Sequence, residues 1–346
     1  MLILCTLLAN AIIAAPPQQV SPQPKTAMRS AFDSLTTLVW LTATPPAPEK
    51  DGDVARELKV LEKAPHVFDG SAAAKEPGLA AIATLLSSYA TQTRTRLERG
   101  ERDTIGYRVR TMAAFCFACH SREGVPLDFS DKDERWAQLP LSPLERARVL
   151  AATRQFELAL STYQKLLGTP DAERATEEAL VVLVRVKNDA KATDEFLALA
   201  GASPRVTAWR AEVKTWAAEK TALSALPLDQ LLKKSDELIA TKGDVATLRA
   251  AAALTHALSR KPTAAQRGEA LYLLGLASGG LRSPLLWDLD LLYLEACVRE
   301  SPKTPLAKKC FGRFEDRLTL GFTGSGGTRI PPDEQQRLEA LRALTK

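Results

Sequence analysis

Residues 105–124 read IGYRVRTMAAFCFACHSREG, and the last turn of this stretch sets how the rest of the chain is read. The segment opens after Asp103, a residue suited to cap a helix N-terminus, and it closes on a C-x-x-C-H sequence at Cys116, Cys119 and His120. On a helix, positions i and i+3 lie about one turn apart on the same face. Both sulfurs therefore face one way, and the imidazole of the next residue stands beside them. That pattern is the signature of covalent haem attachment. The thiols reach the two haem vinyl groups, and His120 becomes the proximal iron ligand. A structural zinc site needs four ligands, and three His and five Cys with no second close pair do not complete one. A thioredoxin-like redox pair needs a βαβ setting, whereas the flanking sequence is helical.

Upstream of the motif, hydrophobic spacing and breakers predict three further helices. The first runs from about Met28 to Leu41, with Met28, Phe32, Leu35 and Val39 on one stripe, and stops before Pro45-Pro46. The second covers Val54 to Lys63 and ends before Pro65. The third runs from Pro77 to Leu97 and stops at Gly100. Four helices with short connections predict a bundle whose interior can hold a cofactor. Met112, one turn before Cys116, is expected in its core.

This layout resembles the class II c-type cytochromes (the cytochrome c prime family), four-helix bundles with C-x-x-C-H near the end of the last helix. The resemblance covers about residues 25–124 and is carried by Met28 to Phe32, Ala64 to Gly70, and Phe115 to Arg122. It departs from the family where an aromatic–arginine pair usually follows the histidine; Ser121-Arg122-Glu123-Gly124 follows here. The resemblance implies one covalent haem c and leaves two options for the far side of the iron. Some members carry a methionine from the first helix there, which makes Met28 the candidate distal ligand. Others keep an apolar open side that admits a diatomic gas. His66 reads as a surface or internally satisfied histidine, and His256 as structural.

From Ser142 the chain changes to successive helix pairs with Pro- or Gly-marked turns. Leu144–Gln155 followed by Phe156–Leu167 looks like a tetratricopeptide-type hairpin, and Ala270–Ala277 leading into Trp287–Val298 looks like a second. Pro170 and Pro302 stand at matching places, close to four repeats of about 34 residues apart. The expected fold is all-α: a four-helix haem bundle over 25–124, a linker over 125–141, and a helical-repeat α-solenoid over 142–346. Such a solenoid offers a surface to partners. Cys297 and Cys310 fall on two helices either side of Ser301–Pro305, where a disulfide could close between antiparallel neighbours. The glycine-rich run Gly321–Gly327 lacks the Lys-Ser/Thr of a phosphate-binding loop and is expected to be a turn.

At the N-terminus, the apolar Leu2–Leu8 followed by Ala9-Asn10-Ala11 reads as a secretory signal over 1–15, with an N-terminal membrane anchor as the alternative. Export would carry Cys5 away with the signal and suit both haem attachment and a disulfide. The net charge of +5 is spread along the chain with no dense basic block, which argues against nucleic acid as a partner. No HExxH, Ser-His-Asp order or nucleotide fingerprint occurs, and no distal His/Arg pair is readable near the motif, which disfavours a peroxidase. The expected function is a periplasmic mono-haem cytochrome that transfers electrons to a protein redox partner docked on the repeats, rather than an enzyme. The alternatives are a gas-binding haem module and a scaffold in which haem is structural.

Overall fold

The computed structural model describes residues 22–69, 77–121, 141–280 and 283–346. The signal over 1–15, residues 125–140 of the linker, and Arg122–Gly124 lie outside them. The described chain is all-α apart from one two-residue hairpin.

Four helices form the first region: α1 (Pro22–Leu41), α2 (Asp51–Lys63), α3 (Pro77–Glu98) and α4 (Ile105–His120). Helix α1 starts a turn and a half before Met28, because a proline is tolerated in a first turn and the polar residues after it continue the helix. Asp51 and Asp53 occupy the first turn of α2, where their charge suits the helix dipole. Asp103 does not cap α4. It sits in a 3-10 turn (Arg102–Thr104), and Thr104 precedes the helix without a side-chain cap bond. Leu35, Leu38, Leu58, Leu61, Val109 and Met112 are buried between the helices, each side chain contributing about 1.5–3 kcal/mol. Arg108 links α3 to α4 from inside: its Nε donates to Thr93 Oγ1 at 2.8 Å, and its guanidinium lies 3.8 Å from the centre of the Tyr89 ring. At Gly106 a Cβ would come within 2.6 Å of the Thr42 carbonyl oxygen, so only glycine lets α4 start this close to the end of α1.

The second region begins with α5 (Pro143–Ala152), whose Ser142 and Glu145 form a reciprocal capping box. There follow α6 (Phe156–Leu166), α7 (Ala172–Leu180) running into a π-helical stretch (Val181–Lys187), α8 (Ala190–Leu199), α9 (Pro204–Ala217), α10 (Leu228–Ala240) and α11 (Asp244–Ser259). Then come α12 (Ala264–Gly279), α13 (Leu289–Glu300), α14 (Pro305–Gly321) and α15 (Pro332–Ala343). Helices pack on the next in sequence, and several also on the next but one, the arrangement of a helical-repeat solenoid. The two expected hairpins are α5–α6 and α12–α13. A disulfide joins Cys297 on α13 to Cys310 on α14, with Cα atoms 6.2 Å apart. The glycine-rich run is more ordered than a plain turn: α14 ends at Gly321, and Thr323–Gly324 pairs antiparallel with Gly327–Thr328.

Helix α4 also packs against the second region, between α5 and the 3-10 turn Pro284–Leu286. One hydrophobic cluster passes from Ile82, Phe115 and Phe117 into Leu144, Leu150 and onward through the repeats. Polar contacts follow the same seam. Tyr107 donates its hydroxyl to the Asp288 carboxylate at 2.9 Å and stacks on Trp287, and Arg96 reaches Asp333 at 2.9 Å. Among the described residues no helix is long and apolar enough to cross a membrane.

Candidate functional site

Helix α4 brings Cys116, Cys119 and His120 to its last turn, with both thiols free and half-buried. Burial pushes the Cys116 thiol up to about 12 and the Cys119 thiol up to about 11, so both stay protonated at neutral pH. A thiol pair built for exchange has its pKa lowered instead.

His120 is held by the second region. Helix α5 stops at Ala152, which leaves that carbonyl without an intrahelical partner, and the oxygen lies 2.6 Å from His120 Nδ1. The carbonyl can only accept, so Nδ1 carries the proton and Nε2 keeps its lone pair. Burial lowers the imidazole to about 4, against a smaller opposing push from this hydrogen bond. A neutral imidazole fixed through Nδ1 is the form that ligates metals through Nε2.

All three motif side chains line one cavity of about 580 Å³, within the range of about 300–1,000 Å³ typical of cofactor sites. The bundle supplies an apolar wall that includes Met28, Phe32, Leu35, Ile82 and Leu86. The structure thus brings the sequence-predicted Met28 to the same cavity as Cys116, Cys119 and His120. His66 also borders it, with Nδ1 3.1 Å from Asp69 and Nε2 3.2 Å from Ser87. Both of its ring nitrogens are engaged. Met112 is fully buried in the bundle core.

The opposite wall comes from the repeats and carries charge: Arg154, Arg185, Arg249 and His256, with Trp216 among them. His256, read as structural, is carried to the cavity by α11. No distal His/Arg pair is readable along the chain near the motif, yet in space Arg154, Arg185, Arg249 and His256 stand on one wall of the cavity. Nothing in the local sequence signals this, because these residues lie 34 to 136 positions beyond His120 and only the stacking of the repeats returns them.

Among the described residues the arginine charges on this wall are only partly paired. Arg249 donates to Glu219 at 2.9 Å. Arg185 donates Nη2 to the Tyr293 hydroxyl at 3.0 Å, while its Nε and Nη1 find no partner among the described residues. Arg154 has no carboxylate partner among the described residues. The carboxylates bordering the cavity, Asp69 and Glu219, are already engaged with His66 and Arg249. An apolar cavity with surplus cations, two neutral thiols and an oriented imidazole fits haem, whose two propionates bring negative charge. Among the described residues no group of three or more His, Cys, Asp and Glu side chains is placed to hold a metal ion. Compared with known proteins, the chain matches no family model, no curated sequence and no solved structure.

Proposed function

We propose that this protein is an exported mono-haem c-type cytochrome that transfers electrons, its haem seated between the bundle and the repeats. Cys116 and Cys119 would hold the porphyrin as thioethers, and His120 Nε2 would ligate the iron. When bound, haem supplies one-electron chemistry. The observation that carries this reading is the His120 Nδ1 contact with the Ala152 carbonyl at the edge of a cavity lined by both thiols. The chain's own residues then divide the work. The thiols fix the group against α4, the Ala152 carbonyl orients the imidazole, and the apolar bundle wall excludes water from the iron's surroundings. Met28 on that wall is the candidate sixth ligand. The Cys297–Cys310 disulfide supports an oxidising compartment, and a periplasmic site is part of the proposal. The redox partner is a protein that docks on the repeats.

The test is production of the full chain in a periplasm with haem c maturation. The intact mass should rise by one haem, and the haem should survive denaturing electrophoresis. Replacing Cys116 and Cys119 by serine should abolish both signals. A wild-type chain carrying no covalent haem under these conditions sinks the reading. In the loaded protein, a Met-to-iron charge-transfer band lost in Met28→Ala would identify the sixth ligand, whereas immediate CO binding by a high-spin ferrous form would favour the gas-binding alternative.

A further inference from the structure

Among the described residues, six that are not glycine have positive φ: Arg154, Asn188, Lys242, Lys261, Asp288 and Lys303. Four of them are cations just past a helix end. A cation there is ordinarily explained by the helix dipole, and the left-handed backbone by the C′ position, where glycine is the usual occupant. Lys242, Lys261 and Lys303 fit that account, since all three are exposed. Arg154 does not. It is half-buried and lines the cavity, two residues after the carbonyl that holds His120. Burial lowers its pKa, so its charge is kept at a cost in this place, and its φ of 67° adds backbone strain of about 1 kcal/mol or more. A strained, half-buried arginine with no carboxylate partner among the described residues is not what stability alone would select at a helix end.

We infer that Arg154 is a positioning residue for electron transfer: its guanidinium, supplied by the repeat region and without a carboxylate partner among the described residues, raises the reduction potential of the haem held on α4. The inference rests on the haem reading above. A fixed cation beside the site disfavours the extra positive charge of the oxidised iron and so favours the reduced form. Arg154 borders the same cavity as Cys119 and His120. Arg249 cannot do the same work because Glu219 cancels its charge. Arg185 adds a second cation deeper in the wall, but it is 3% exposed and packed on Phe117 and Tyr293, so its removal would disturb the fold.

Arg154→Gly separates charge from structure, because glycine takes the left-handed position without strain. The loaded variant should keep or raise the melting temperature of the wild type. At equilibrium with one redox dye, its oxidised-to-reduced ratio should rise about tenfold, the scale of a unit charge acting over about 12 Å at an effective dielectric constant of about 20. Arg154→Lys should hold the ratio near wild type, and Arg154→Gln should follow the glycine variant and serve in its place if that one loads poorly. A purely structural arginine would move the melting temperature and leave the ratio alone. Loaded Gly and Gln variants with wild-type ratios overturn the inference while leaving the cytochrome reading intact. A wild-type chain without covalent haem overturns the cytochrome reading first, and the two failures are told apart by the intact mass.

Discussion

The two walls of the cavity are made in different ways. The bundle wall is assembled from residues that a reader meets together: an apolar stripe on α1, its neighbours on α3, and the C-x-x-C-H turn of α4. The repeat wall is assembled from residues scattered over α5, the π-helical stretch and α11, and it carries nearly all the charge. The chemistry that attaches a cofactor is local in sequence, because two thiols and an imidazole must share one helical turn. The electrostatics around it are not local, since any cation that folding brings near will serve. The first wall is apolar and replaceable residue by residue; the second depends on the whole repeat stack being in place.

The comparison predicts that the walls stand or fall together, and Phe117 tests this most severely. It is fully buried in the cluster shared by both regions, edge-on to Phe156 with ring centres 6.4 Å apart, and 5.8 Å beneath the Arg185 guanidinium. Phe117→Ala should cost about 3–5 kcal/mol. Urea unfolding followed by circular dichroism should remain one transition with a lower midpoint. Two separated transitions would show that the regions are independent and that the cavity joins them only loosely.

A smaller effect should be confined to one side. The Cys297–Cys310 disulfide closes a loop of 13 positions between α13 and α14, and such a loop contributes about 3 kcal/mol by constraining the unfolded chain. Replacing both cysteines by serine should lower the midpoint accordingly while leaving haem content and spectrum unchanged. Loss of covalent haem in that variant would mean that the far end of the repeats also shapes the attachment site.

What was legible in the sequence follows the same division. The helices of both regions could be read from spacing and from prolines, because helix formation is settled within a few turns. That Cys116, Cys119 and His120 share one helical turn could be read from their spacing, and that Met28 faces inward from the stripe on α1; the resemblance alone suggested Met28 as a ligand. Asp103 was misplaced by one short 3-10 turn, a difference too small for any pattern to register. Arg154 and His256 could not be read at all. An arginine after a helix and a histidine on an alanine-rich helix look ordinary until the stack curves them toward α4. The shared seam was equally hidden, since Tyr107 and Asp288 are 181 positions apart.

That seam offers the finest test. The Asp288 carboxyl has its pKa raised, mainly by burial and despite the Tyr107 hydroxyl that donates to it. A carboxyl whose pKa is higher folded than unfolded adds stability in acid, and that contribution is lost as pH rises through the folded value. Tyr107→Phe removes a donor that favours the ionised form, so the carboxyl pKa should climb further and the cost at neutral pH should grow. Tyr107 is 46% exposed, which places the loss near the low end for a bond to a charged group, about 1 kcal/mol. The gap in melting temperature between wild type and variant should therefore narrow as pH is lowered through the carboxylate range, because protonated Asp288 has less to gain from the hydroxyl. A gap that is constant with pH would mean that Tyr107 holds the seam by stacking on Trp287 alone, and that the bundle and the repeats meet there through packing rather than charge.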